Sequence, residues 1–278
     1  MASMASRDGM DRSTGGDQAY TLPFKLTLAA QAAAGLVFGV APLVATTAYA
    51  SAIGFSGSDV IIYRLGGAAT FGYFVAALVT LASGAGWRQI RIPAIATLTF
   101  TIAAFLASAV ELAGGAKQAV VAFVVVAGLV FSAIAAWWLR RDEAPPMDAG
   151  PSLDMPARAI LGLATLSAAT FGVLPLVAPG PFASLFGLIG GDPFVYRLAG
   201  AGCLGYATAG IASLMASGYR AIRIQNMAAI AFNALGASSA WIAVVGGGGG
   251  LLAPVVAVAA TFFTIALIWI DRRAATGR

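Results

Sequence analysis

Long apolar stretches separated by short polar connections run along almost the whole chain. Eight can be read, at about 24–48, 60–82, 92–113, 117–139, 157–178, 193–216, 222–245 and 250–270. A helix needs roughly 20 mostly apolar residues to cross a bilayer, and each stretch reaches that length. All are interrupted by Gly, Ser or Thr, which helices in lipid tolerate better than helices in water. The competing membrane architecture, a β-barrel, alternates polar and apolar positions over about ten residues. Val120 to Val130 shows no such alternation. The pattern therefore predicts an all-α integral membrane protein with eight transmembrane helices.

A second regularity divides the eight helices into two sets of four. Asp59, Tyr63-Arg64-Leu65, Gly67-Ala68 and Gly72-Tyr73 recur at one constant interval as Asp192, Tyr196-Arg197-Leu198, Gly200-Ala201 and Gly205-Tyr206. Phe38-Gly39-Val40 and Pro42 return at the same interval, as Phe171-Gly172-Val173 and Pro175. Ile90-Arg91-Ile92 and Arg140-Arg141 return at an interval one position shorter, as Ile222-Arg223-Ile224 and Arg272-Arg273. So little slippage over such a distance predicts two halves that fold alike. The expected organisation is a disordered tail over 1–23, a four-helix membrane repeat over 24–141 and a linker over 142–156. A second repeat over 157–273 and a tail over 274–278 complete it. With four spans in each repeat the two are parallel, and their pseudo-twofold axis runs along the membrane normal.

Composition agrees with this class. Hydrophobic residues make up 60% of the chain and charged residues 10%. A soluble domain carries about 25% charged residues, so these are too few to cover a water-facing surface. Of the sixteen Lys and Arg, all but Arg64, Lys117 and Arg197 fall in the tails, the linker and the second–third and sixth–seventh connections. With eight spans these regions share one side, which the positive-inside rule assigns to the cytoplasm. The expected location is a bacterial-type plasma membrane with both termini cytoplasmic. The net charge of +5 then reports topology and attraction to anionic lipid, and no basic stripe with exposed aromatics points to nucleic acid. The N-terminal tail lacks the short apolar segment and cleavage site of a secretory signal.

Several chemistries are excluded. There is no His, and Cys203 is the sole cysteine. Imidazole bases, His-ligated haem, ordinary zinc sites and an intrachain disulfide are thereby removed. The run Gly246 to Gly250 has no following Lys-Ser/Thr, so it predicts an external turn rather than a phosphate cradle. No cofactor, no metal and no catalytic residue is expected.

The strongest local signal is Asp59 with Tyr63-Arg64, and its copy Asp192-Pro193 with Tyr196-Arg197. Asp before an apolar run predicts a helix N-cap, and Pro193 suits the first helical position. Arg64 and Arg197 then lie near the outer helix ends, where they can snorkel and pair with the capping Asp or with lipid phosphate. The functional alternative makes them a basic pair lining an outward vestibule, beside Tyr63 and Tyr196. Gly35 and Gly39, Ala68 and Gly72, and Ala201 and Gly205 have the spacing of close helix contacts. The apolar connections 46–58 and 179–191 predict short interfacial helices, the second after Pro179 and Pro181. Gln31, Glu111, Asn226 and Asn233 are polar positions with apolar or smaller counterparts in the other repeat. They read as interhelical glue, with Glu111 expected to pair with Arg64 or Lys117; in the binding alternative Glu111 and Asn233 join Arg64 and Arg197 in lining a cavity at the interface of the repeats.

Each half, about 24–141 and 157–273, resembles the DoxX-like group of small bacterial four-span membrane proteins. The resemblance rests on Asp59, Tyr63-Arg64 and Gly67 and on Asp192, Tyr196-Arg197 and Gly200. It implies four-helix architecture and carries no catalytic residue across. The tandem fusion departs from the single unit usual in that group. The expected function is therefore non-catalytic, a structural or accessory role in the membrane. The alternative is a transporter or a lipid- or small-molecule-binding protein with a site between the repeats. Expected partners are the bilayer, anionic lipid, and a further membrane protein or second copy of the chain.

Overall fold

A computed structural model describes residues 22–85, 87–140 and 150–276, with the side chains of Trp87 and Arg88 excepted. Most of the expected N-terminal tail, residues 142–149 of the expected linker and residues 277–278 lie outside the described residues. Among the described residues every regular element is a helix and there is no strand. The helices are α1 Leu22–Val44, α2 Thr46–Ala52, α3 Val60–Ser83, α4 Trp87–Ala113 and α5 Ala119–Leu139. They continue with α6 Met155–Val177, α7 Pro179–Leu185, α8 Pro193–Leu214, α9 Tyr219–Val245 and α10 Leu252–Thr276.

Seven of these helices are long and apolar enough to cross a membrane, and α8 is not among them. The chain is thus an α-helical multi-pass membrane protein with seven clear candidate spans. The composition of α8 explains the difference from the eight expected. It carries Arg197 and four glycines, and one of its sides is buried from Phe194 to Ser213. A helix surrounded by protein needs less hydrocarbon on its surface than one facing lipid.

Helix ends depart from the sequence reading where side chains take over. The first span breaks at Ala45, where the Thr46 hydroxyl donates to the Pro42 carbonyl at 2.7 Å. The following residues form the short helix α2. Likewise α6 stops at Val177, and Pro179 opens α7. At its other end α6 begins within the expected linker, because the Asp154 carboxylate accepts from Ala157 N at 3.0 Å and caps it. At the C-terminus α10 runs on to Thr276, past the expected boundary at 273.

The long helices form two rows. In one, α1 packs on α3, α3 on α9 and α9 on α10; in the other, α5 packs on α4, α4 on α8 and α8 on α6. The rows meet through α3 with α8 and α4 with α9, whereas α3 hardly touches α4 and α8 hardly touches α9. Glycine sets several of these contacts. A Cβ on Gly39 would lie 2.9 Å from Phe71 N, and one on Gly172 would lie 2.8 Å from Leu204 N. The small-residue stripes of α1 and α6 therefore let backbone approach backbone. At the row junction a Cβ on Gly66 would stand 3.7 Å from the Ala199 Cβ, and the rings of Tyr73 and Tyr206 are 5.1 Å apart. Both pairs join corresponding positions of the recurring sequence motif, in register along the two helices, so α3 and α8 run in the same direction.

Candidate functional site

The seam between the halves is built from reciprocal contacts. At one end Asp59 and Asp192 occupy the N-cap positions of α3 and α8, but neither carboxylate bonds to its own helix. Each reaches across instead. Asp192 accepts from Ser56 N at 2.9 Å, Gly57 N at 2.9 Å, the Ser56 hydroxyl at 2.8 Å and the Tyr63 hydroxyl at 2.7 Å. Asp59 accepts from Ile189 N at 2.9 Å, Gly190 N at 2.8 Å and the Tyr196 hydroxyl at 2.7 Å. The expected self-capping is therefore replaced by an exchange of caps between halves. Gly57 and Gly190 have φ of 68° and 74°, a left-handed turn that aims successive N–H groups at one point. Burial alone would raise the Asp192 pKa, but the bonds from Ser56, Tyr63 and Gly57 outweigh it and hold the carboxyl below its ordinary value.

The duplicated arginines are not equivalent. Arg197 forms an ion pair with Glu111, whose expected partners were Arg64 or Lys117. Both side chains are about one-fifth exposed, at 21% and 20%. Arg64 instead donates from Nε to the Thr46 hydroxyl at 3.4 Å. Position 243, the counterpart of Glu111, is Ala, so the second half has no carboxylate to offer Arg64 there. Neither arginine pairs with Asp59 or Asp192, and their side chains take different partners rather than a common one.

Midway along the seam, the Tyr73 hydroxyl donates to the Gly202 carbonyl at 3.0 Å and the Tyr206 hydroxyl to the Ala69 carbonyl at 3.1 Å. Each tyrosine fills the space left by a glycine of the other half: a Cβ on Gly72 would strike the Tyr206 hydroxyl, and one on Gly205 the Tyr73 hydroxyl. Tyr73 stacks on Phe100 and Tyr206 on Phe232, which fixes both rings. The centre between the halves is packed by aromatic rings and backbone.

Open volume lies to either side. One cavity of about 190 Å³ sits among α1, α3, α4, α5 and the start of α8. Another of about 150 Å³ sits among α6, α8, α9, α10 and the start of α3. Their walls correspond position by position: Phe38 with Phe171, Pro42 with Pro175, Tyr73 with Tyr206, Phe100 with Phe232. No charged side chain lines either one. Tyr63 faces the first cavity and Asn233 the second, while Tyr196, Arg64, Arg197 and Glu111 line neither. The residues singled out in the sequence are thus distributed over three places rather than gathered at one.

The other polar positions also find partners. Gln31 donates to the Thr97 hydroxyl at 3.1 Å, and Asn233 donates to the Ala229 carbonyl at 2.8 Å. Asn226 donates to the Tyr219 hydroxyl at 3.1 Å and the Leu267 carbonyl at 3.2 Å, while its own carbonyl oxygen is buried without a partner among the described residues. Cys203 lines the second cavity. Sequence reasoning used Tyr73 and Tyr206 only to mark the repeat. Their duplication beside Gly72 and Gly205 was the available signal for the seam. In comparison with known proteins, no family model, no curated protein and no solved structure matches the chain.

Proposed function

We propose that this is a non-catalytic multi-pass protein of a bacterial-type plasma membrane with a structural or accessory role. In this reading it has eight spans in two parallel four-helix repeats, as the resemblance of each half to the DoxX-like group implies, with both termini cytoplasmic. The observation that carries it is the filled seam. A transport site between the repeats needs polar groups of both halves around one void. That position is occupied instead by Tyr73 and Tyr206 against glycines. The two apolar, uncharged cavities favour a second reading, binding of a small molecule on either side of the seam.

Cross-linking tests the first reading. The separation of 3.7 Å between a Cβ at Gly66 and the Ala199 Cβ is close to the mean of about 3.8 Å for a disulfide. Gly66→Cys with Ala199→Cys, in a Cys203→Ser background, should cross-link to near completion in native membranes. Incomplete reaction would mean the halves rock apart, and would favour transport. A reporter fused after Arg278 and one inserted at Gly248 should report opposite sides of the membrane. The same side for both would remove the eight-span arrangement.

A further inference from the structure

The two cavities have corresponding apolar walls, but among the described residues only the second-half cavity is lined by a residue with a fully buried, unpartnered side-chain acceptor. Asn226 lines it and is 3% exposed. Its amide orientation is fixed by its neighbours. The Leu267 carbonyl is only an acceptor, so the group facing it at 3.2 Å must be the Nδ2 amide. Tyr219 donates its hydroxyl proton to Asp271, and so meets Asn226 as an acceptor too. The Asn226 Oδ1 atom is thereby left with no donor among the described residues. A buried acceptor of this kind is costly unless something supplies a donor. The counterparts of Asn226, Tyr219 and Asp271 in the first half are Ala94, Trp87 and Leu139. The polar chain therefore belongs to the second half alone.

We propose that the second-half cavity binds a neutral amphiphile of the long-chain alcohol class, whose hydroxyl donates to Asn226 Oδ1. Its hydrocarbon chain lies along the wall formed by Phe232, Phe263 and Phe171. Neutrality follows from the absence of any charged lining side chain. The hydrocarbon body follows from a wall that is mostly aliphatic and aromatic. The path of entry is from the bilayer between α6 and α10, which touch little and leave that side of the cavity thinly walled. The Asn226 end of the site is formed by the second half, Ile62 and Leu65 of α3 close it from the first, and the proposal does not depend on the accessory role proposed above.

The test uses the full chain in lipid nanodiscs and a ten-carbon alcohol carrying a photoreactive group midway along its chain. Cross-linked peptides should map to α6, α9 and α10. Unlabelled 1-decanol should compete about tenfold better than decyl methyl ether, the gap of about 1.4 kcal/mol expected for one hydrogen bond to a buried acceptor. Asn226→Leu should abolish that preference while leaving competition by the ether unchanged. Ala164→Leu, which narrows the same cavity without touching the amide, should weaken labelling by both compounds. It also serves if Asn226→Leu does not fold. Equal competition by alcohol and ether in the unmodified protein would mean that water satisfies Asn226 and would overturn the proposal. So would labelling spread equally over α1, α4 and α5, or undiminished labelling of Ala164→Leu.

Discussion

At the scale of single residues, the seam concentrates charge-assisted hydrogen bonds on two carboxylates. Tyr63→Phe removes a 2.7 Å bond to Asp192 while preserving the ring. A hydrogen bond to a charged group contributes about 1.5–3 kcal/mol, so a clear drop in melting temperature is expected, and Tyr196→Phe should behave alike. Asp192 adds a pH dependence of known sign. Its folded-state pKa lies below the ordinary 3.8, so its stabilisation is complete above that value and is lost as pH falls through the folded value. Asp192→Asn should therefore be less stable than the parent at pH 7, with the gap closing below about pH 3.8. Parallel melting curves from pH 7 to pH 3 would contradict this. The arginines should also separate. Glu111→Gln leaves a largely buried guanidinium without its carboxylate and should cost about 1–3 kcal/mol, between exposed and buried pairs. Arg64→Lys, which disturbs a single long bond to a hydroxyl, should be nearly silent in the same thermal assay.

At the scale of helices, the glycines differ sharply in what surrounds them. A Cβ on Gly205 would meet the Tyr73 hydroxyl and lie 2.6 Å from the Ala96 carbonyl oxygen of α4. The hydroxyl could move, but the carbonyl belongs to a packed helix and could not. Gly205→Ala should accordingly prevent stable folding, and adding Tyr73→Phe should restore little. Gly162, inside α6, has nothing within 4 Å of an added Cβ. Gly162→Ala should be neutral or stabilising by up to about 1 kcal/mol, from helix propensity alone. Expression level and melting temperature distinguish the two. A Gly205→Ala protein as stable as the parent would contradict the packing of α8 on α4.

At the scale of the whole molecule, the halves are interleaved: α3 packs on α9 and α4 on α8 rather than on each other. A half on its own lacks these partners and would have to recruit a second copy. Pairing the first half with itself would bring Ala69 against Ala69. A Cβ at the equivalent Gly202 already lies as close as 3.1 Å to the Ala69 Cβ. Pairing the second half with itself would leave Arg197 facing Ala243 rather than Glu111. The chain divided between residues 145 and 146 should therefore accumulate several-fold better when both pieces are co-expressed, and the two should co-purify. Equal accumulation of either piece alone would show that interleaving is not what stabilises the fold.

The sequence by itself determined the helical membrane class, the approximate limits of the long helices and the pairs of positions at which its motifs recur. Those features are local or periodic: apolar runs of bilayer length, prolines and glycines at their ends, and motifs that recur. It also marked Asp59, Tyr63, Asp192 and Tyr196 as a set. Tertiary structure alone decided who meets whom. Asp59 stands one residue before its own helix, yet its carboxylate is taken by Gly190 and Tyr196, because left-handed glycine turns of the opposite half offer N–H groups at hydrogen-bonding distance. Glu111 could pair with several cations by spacing, and only the packing of α4 against α8 selects Arg197. The orphan oxygen of Asn226 is likewise invisible in sequence. It depends on Leu267 and Tyr219 claiming the other side of one amide, from a helix turn and a neighbouring helix that no linear pattern brings together.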